Sequence, residues 1–393
     1  MPIEFISFFI ILFAGLFLSG IFNRLHLPWV PALIVAGIVI GPSGADLITT
    51  TEPIRFIGEI GLVFLMFMAG LETKLSKWEG IRFKVAIIAT TISVASFAIG
   101  FGIAYYFQYE MMTAILLGII FISSSVAVVI PSLTANNLLS THVGKTIIGT
   151  ALVTDVLSLL LLSIVLQTIN PITELPLPIF YALLLASLII LRKMIPWVHT
   201  FLRHLSNRGD VFERESRLIF TVMLGTVILF ELLGLHAIIA GFFAGFVLSD
   251  SIKSDIIKEK LHAISYGIFI PTFFIIAGAS MNMEILGTAH GALAITALII
   301  AGLLITKLLT GYISGRICKF KRRSSFLIGM ALTPQLSTTL AAIFAGFEIG
   351  IVDDSLLTAV IILSIVTTII TPIAVNKISQ GFYLNKVNAD QQA

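Results

Sequence analysis

A chain of 393 residues with 58% hydrophobic and only 11% charged residues lacks the charge of an ordinary soluble surface, where about 25% is usual. Its mean hydropathy of +1.06 excludes a soluble globular protein and points to a polytopic membrane protein. The net charge of +3 says little by itself, no nucleic-acid partner is expected, and the single cysteine, Cys318, excludes an intramolecular disulfide.

Apolar runs of roughly 17–25 residues cross a bilayer. Thirteen candidates follow one another, near 5–22, 29–42, 55–72, 83–107, 111–136, 143–169, 178–202, 216–233, 235–250, 262–284, 289–314, 324–347 and 354–376. The first begins after Met1-Pro-Ile-Glu4, without a basic n-region or a small-residue cleavage site, and is read as a span rather than a signal peptide. The spans at 29–42 and 235–250 are short and glycine-rich. Alternation across thirteen spans puts every Lys and Arg except Arg55 and Lys307 on one face. By the positive-inside rule that face is cytoplasmic, with the N-terminus outside, the C-terminus inside and residues 376–393 a short cytoplasmic tail. A multi-pass protein of the cell (inner) membrane is therefore expected.

A few ionisable groups fall inside the apolar runs. Asp155 sits near the middle of the sixth span, where a carboxylate costs on the order of 2.5–3.5 kcal/mol on insertion scales and marks an ion path or a polar partner. Lys307 lies inside the eleventh span, in Leu303-Leu-Ile-Thr-Lys-Leu-Leu309. Glu59 and Glu231 lie near span ends, where a shift of one turn puts them in the headgroups. His26, His142, His236, His262 and His290 fall near helix ends without metal-ligand spacing, and are read as interfacial residues.

The chain repeats itself. Ala36-Gly37 matches Ala244-Gly245, and Ala69-Gly70 matches Ala277-Gly278, both at an offset of 208 (245 − 37 and 278 − 70). Seven spans separate the copies. An odd number reverses orientation, so the chain reads as two inverted six-helix repeats with the seventh span as linker, the architecture of secondary transporters. Such transporters break a helix in each half. The fifth span carries Ser123-Ser-Ser-Val-Ala-Val-Val-Ile-Pro131 and the twelfth Thr333-Pro-Gln-Leu-Ser-Thr-Thr339, where a proline removes a backbone donor and frees a carbonyl. The alternative is a pair of kinked helices whose hydroxyls bond their own backbone. With crossed broken helices, Asp155 and Lys307 come beside the crossing. A carboxylate among hydroxyls and freed carbonyls is an oxygen site for a hard monovalent cation, and the same carboxylate can hold a proton.

In these residues the sequence resembles the monovalent cation:proton antiporter-2 (CPA2) family over essentially its whole length. The resemblance rests on Ser124-Ser-Val-Ala-Val-Val129, Thr154-Asp155, Thr306-Lys307 and Gly329-Met-Ala-Leu-Thr-Pro334. It implies an all-α membrane protein of thirteen transmembrane helices, with residues 1–393 forming one transport domain. It also implies an elevator-type homodimer, in which spans 1–3 and 8–10 are the dimer scaffold and spans 4–6 and 11–13 the moving core. By resemblance Asp155 binds Na⁺ or K⁺ and the proton, helped by Thr154, Ser124 and Ser125, and Lys307 compensates charge. The broken-helix crossing comprises Pro131, Thr333, Pro334, Gln335, Ser337 and Thr338. Electrogenic relatives carry two adjacent acids where this chain has Thr154-Asp155, and many members carry Arg-Gly-Glu after the twelfth-span proline, where this chain has Gln335-Leu336-Ser337. The expected function is secondary active exchange of Na⁺ or K⁺ for H⁺, without enzymatic chemistry or a cofactor. A sodium-coupled symporter of an organic anion is the second reading, and a membrane sensor or channel subunit the third.

Overall fold

In lipid an apolar segment can satisfy its backbone only within itself, so uncharged runs of Leu, Ile, Phe, Val and Ala fold as helix. The computed structural model describes residues 3–24, 28–72, 80–169, 171, 176, 179–182, 186, 189–190, 193, 214–232, 236–249, 255–285 and 291–390, and the described elements are helical. The first half contains α1 (Ile3–Arg24), α2 (Trp29–Ile40), α3 (Glu52–Glu72), α4 (Arg82–Tyr106), α5 (Met111–Ile122), α6 (Val126–Ala135) and α7 (His142–Ile169). The second contains α8 (Arg214–Leu232), α9 (Ala237–Leu248), α10 (Asp255–Ile264) and a π turn (Ser265–Phe269). It continues through α11 (Ile270–Ala279), α12 (Ala292–Ile317), α13 (Arg322–Ala331), α14 (Ser337–Glu348) and α15 (Asp354–Asp390).

Eight stretches among the described residues are long and apolar enough to cross a membrane, and shorter apolar helices include α2 and α9. Both have twelve residues, or about 18 Å at 1.5 Å per residue. They are short because they lie inside the protein, with Val30 to Ala36 and Ile238 to Gly245 largely buried. The expected seventh span, near 178–202, falls mostly outside the described residues. The stretch expected as a polar tail continues α15 as helix as far as Asp390.

The fifth and twelfth spans are each broken. Residues 123–125 separate α5 from α6, and residues 332–336 separate α13 from α14. Helix packing divides into two groups: α1–α3 with α8–α11, and α4–α7 with α12–α15. Contacts are dense inside each group, and the links between them include α3 on α14 and α2 on α15.

The internal repeat is visible in the packing. A methyl group at Gly37 would overlap the Ile275 carbonyl of α11, and one at Gly278 the Ile34 carbonyl of α2. Likewise Gly70 of α3 meets the Phe242 carbonyl of α9, and Gly245 the Phe67 carbonyl of α3. Small residues let two helix backbones approach this closely. Exchanging the two halves sends α2 to α9 and α3 to α11, which converts one crossing into the other. A second set obeys the same rule at an offset of 211 (311 − 100 and 329 − 118). Gly100 and Gly118 join α4 to α5, and Gly311 and Gly329 join α12 to α13.

Candidate functional site

Each break leaves two helix ends with backbone groups that lack intrahelical partners, and the structure pairs some of them across the crossing. The Ser125 N–H donates to the Pro334 carbonyl (2.8 Å). The Ser124 hydroxyl donates to the Leu332 carbonyl (2.8 Å). Gln335 reaches back through Nε2 to the Ser123 carbonyl (2.7 Å), while its Oε1 accepts from the Ser123 hydroxyl (3.2 Å) and from Thr339. The second break is also held by α15: the Gln335 N–H donates to Thr367 Oγ1 (3.1 Å), and the Thr333 and Thr371 hydroxyls share a hydrogen bond (2.7 Å).

Lys307, fully buried on α12, aims its ammonium at the C-terminus of α5. It donates to the Ile122 carbonyl (2.8 Å), the Ser123 carbonyl (2.8 Å) and the Ser124 hydroxyl (2.9 Å). An ammonium has three donors, and all are taken. A cation at a helix C-terminus also complements the partial negative charge there. At the 211 offset, Lys307 corresponds to Ser96 of α4, whose buried hydroxyl has no partner. The crossing is thus electrically lopsided, because α5 ends on a cation while α13 ends on hydroxyls.

Asp155 lies in the middle of α7, 4% exposed, with Oδ1 unpartnered. It lines a small cavity of about 10 Å³ with Val126, Leu152 and Ser337, so the first turns of α6 and α14 both face this region. Two converging helix N-termini favour a negative charge. Thr338 lies next to the carboxylate, yet its hydroxyl and that of Ser125, at the head of α6, are both buried without a partner. Carboxylate and hydroxyl oxygens left open at one crossing suit a bare monovalent cation as substrate. No cluster of three or more His, Cys, Asp and Glu gathers for a metal among the described residues.

The other expected site residues are turned to structural work. The Thr154 hydroxyl donates to its own helix at the Ala151 carbonyl (3.0 Å), and Ser124 is engaged by Leu332 and Lys307. Pro131 sits inside α6 and lines a second, larger cavity. Ser123, Thr339, Thr367 and Thr371 join the network without having been singled out as site residues. The polar run Thr367-Thr-Ile-Ile-Thr-Pro372 in the thirteenth span was the available sign for the last two.

The larger cavity, about 770 Å³, is walled by α2, α6, α15 and the segment around His262 and Tyr266. It lies at the ends of these helices that adjoin Arg24, Lys145, Lys258 and Lys377, hence on the basic face. Towards the opposite face the two helix groups meet directly. Phe273 of α11 packs edge-on against Phe344 of α14 (5.8 Å between ring centres), and His236 Nε2 stands 3.7 Å from Glu348 Oε2.

A family profile described as "Sodium/hydrogen exchanger, transmembrane" matches residues 8–380. A probable Na⁺/H⁺ antiporter of Methanocaldococcus jannaschii is 28% identical over 94% of this chain and 95% of its own length. A Na⁺/H⁺ antiporter of Enterococcus hirae is 27% identical over 93% and 96%, and the Na⁺/H⁺-K⁺ antiporter GerN of Bacillus cereus is 27% identical over 89% of each. Among solved structures, the sodium proton antiporter MjNhaP1 of M. jannaschii at pH 8 matches with a TM-score of 0.72 at 17% identity, over 94% of this chain and 96% of that one. The last of these is a likeness of fold.

Proposed function

The chain belongs to the sodium/hydrogen exchanger family, and from that membership we propose that it exchanges Na⁺ for H⁺ across a membrane through Asp155. The observation that carries this reading is the buried Asp155 carboxylate with an oxygen left unpartnered. A bare cation bound there neutralises the carboxylate and is completed by hydroxyls such as Ser125 and Thr338. A bound proton neutralises it equally. Cation and proton therefore compete for one negative charge, and a carboxylate carrying neither is costly in a dry interior. Reorientation is then allowed only when the site is filled, which couples the two fluxes.

K⁺ is a second candidate cation, supported by the resemblance to GerN. The chain falls on the cation:proton antiporter-2 side of the family, as Thr154-Asp155 and Thr306-Lys307 suggest. The basic face is cytoplasmic in the cell membrane. The α4–α7 and α12–α15 group is the moving part of an elevator and the other group its scaffold, a division supported by the few links between them. A homodimer joined through that scaffold is supported by α1, where Phe9, Phe13 and Phe17 stand stacked and exposed. An organic-anion symporter fits less well, because Lys307, the cation such a substrate would need, has every donor engaged by α5.

The test is Asp155→Asn, which keeps the volume and removes the charge. In proteoliposomes loaded with a pH-sensitive dye, the variant should insert and fold normally yet show no Na⁺-driven proton flux. Retained flux sinks the assignment.

A further inference from the structure

The larger cavity and the small one around Asp155 share three wall residues: Val126 and Ala127 of α6, and Tyr266. Space contracts from about 770 Å³ to about 10 Å³ across them. The smaller figure is room for roughly one water-sized centre, so a cation with its hydration shell stops at this step. Val126 and Ala127 are short side chains on the first turn of α6. Tyr266 is the only one of the three with a large ring that can swing.

The local backbone singles out the same residue. Tyr266 lies in the π turn Ser265–Phe269, a wide turn inserted between α10 and α11. Such turns are rare and frequently occur at functional sites. The neighbouring Ser265 hydroxyl is buried without a partner. His262 stacks on the Tyr266 ring (4.2 Å between centres, 23° between planes), and Trp29 of α2 meets it edge-on (5.6 Å, 73°). The ring is therefore clamped by two aromatic neighbours of its own helix group, while the wall it faces, α6, belongs to the other.

We propose that Tyr266 is a gate on the basic face: its ring, clamped by His262 and Trp29, closes the passage between the wide cavity and Asp155. The inference rests on the reading of Asp155 as the ion site. The ring blocks a hydrated ion in the arrangement seen here and clears the path by swinging out of the clamp or by riding with its group as the two groups shift. Its bulk is what acts, because a phenyl ring fills the same space and stacks in the same way.

Thiol labelling tests this without requiring transport, so its failure is separate from any failure of the antiport reading. In a Cys318→Ser background, Leu152→Cys places a thiol on the Asp155 side of the ring, and Ala135→Cys places one on the wide side. Both are labelled with a charged methanethiosulfonate reagent in purified protein, with Tyr266 intact or changed to Phe, Leu or Ala. The Leu152→Cys thiol should react about tenfold faster in Tyr266→Ala, intermediately in Tyr266→Leu and at the parent rate in Tyr266→Phe, since reaction no longer waits for a ring to move. Ala135→Cys should react equally in all four. An unchanged rate at Leu152→Cys in Tyr266→Ala overturns the gate. So does a Tyr266→Phe variant as fast as Tyr266→Ala, or a parallel acceleration at Ala135→Cys, which would mean general loosening.

Discussion

Because the Lys307 ammonium is shared among Ile122, Ser123 and Ser124, removing it acts on the end of α5 before it acts on Asp155. Lys307→Gln should destabilise by on the order of 3 kcal/mol, the cost of stranding buried polar groups. The drop in thermal midpoint should be the same with and without saturating Na⁺. A drop confined to Na⁺-free protein would mean that Lys307 mainly balances Asp155. The two orphan hydroxyls predict a different signature. Ser125→Ala or Thr338→Ala each removes one neutral oxygen, so the apparent KM for Na⁺ should rise about fivefold to tenfold, on the order of 1 kcal/mol, with maximal rate nearly kept. Unchanged KM in both variants across several pH values would remove these hydroxyls from the cation's shell. Asp155 was legible in the sequence because a charge inside an apolar run has no ordinary explanation. Most of what holds Lys307 was not, since two of its three partners are backbone carbonyls delivered by a crossing, and carbonyls leave no trace in residue identity. Tyr266 was hidden for a related reason: one aromatic among thirty Phe and seven Tyr carries no signal until a π turn and a cavity are seen beside it.

Helix termini decide how the elements hold together, and those outside the spans respond to pH in a readable way. Asp353 caps α15, its Oδ1 accepting the Leu356 N–H (2.8 Å), and Tyr109, in the loop between α4 and α5, donates to the same carboxylate (3.4 Å to each oxygen). Thr113 adds a bond to the Ile351 carbonyl (2.7 Å), so this end of α5 is tied to the start of α15. Burial, and after it the nearby Asp353 charge, pushes the Tyr109 phenol up to about 12 from its ordinary value near 10. A folded pKa raised in this way favours the protonated phenol in the native state. Its contribution is complete below pH 10 and is lost as pH rises towards about 12. Thermal melts should therefore fall more steeply across that window in the parent than in Tyr109→Phe. Parallel curves would show that the phenol is not coupled to folding. The helix breaks themselves were readable from Ser123-Ser-Ser and Thr333-Pro-Gln, because polar runs with a proline interrupt an otherwise uniform pattern. The continuation of α15 past residue 376 was not, since a polar helix has the composition of a tail.

For the whole molecule, the proposed use of one carboxylate by both ions, with the only buried ammonium described held on α5, predicts that each cycle carries one Na⁺ against one H⁺. Moving an elementary charge through the membrane is worth about 2.3 kcal/mol per 100 mV, which makes electroneutrality easy to detect. In proteoliposomes clamped with valinomycin and K⁺, Na⁺-driven exchange should run at the same rate at zero and at imposed potential. Acceleration under either polarity would require a second proton carrier. The two crossings that knit the halves also have a consequence in time. Gly37 and Gly278 are 241 residues apart (278 − 37), and synthesis at about 5–20 residues per second separates their appearance by roughly 12–48 s. Throughout that interval the notches of α2 and α3, shaped to receive a facing backbone, have no facing backbone to receive. The nascent first half must wait in the bilayer with its tightest contacts unmade, open to proteases and to wrong helices, which makes the speed of translation part of what this fold needs.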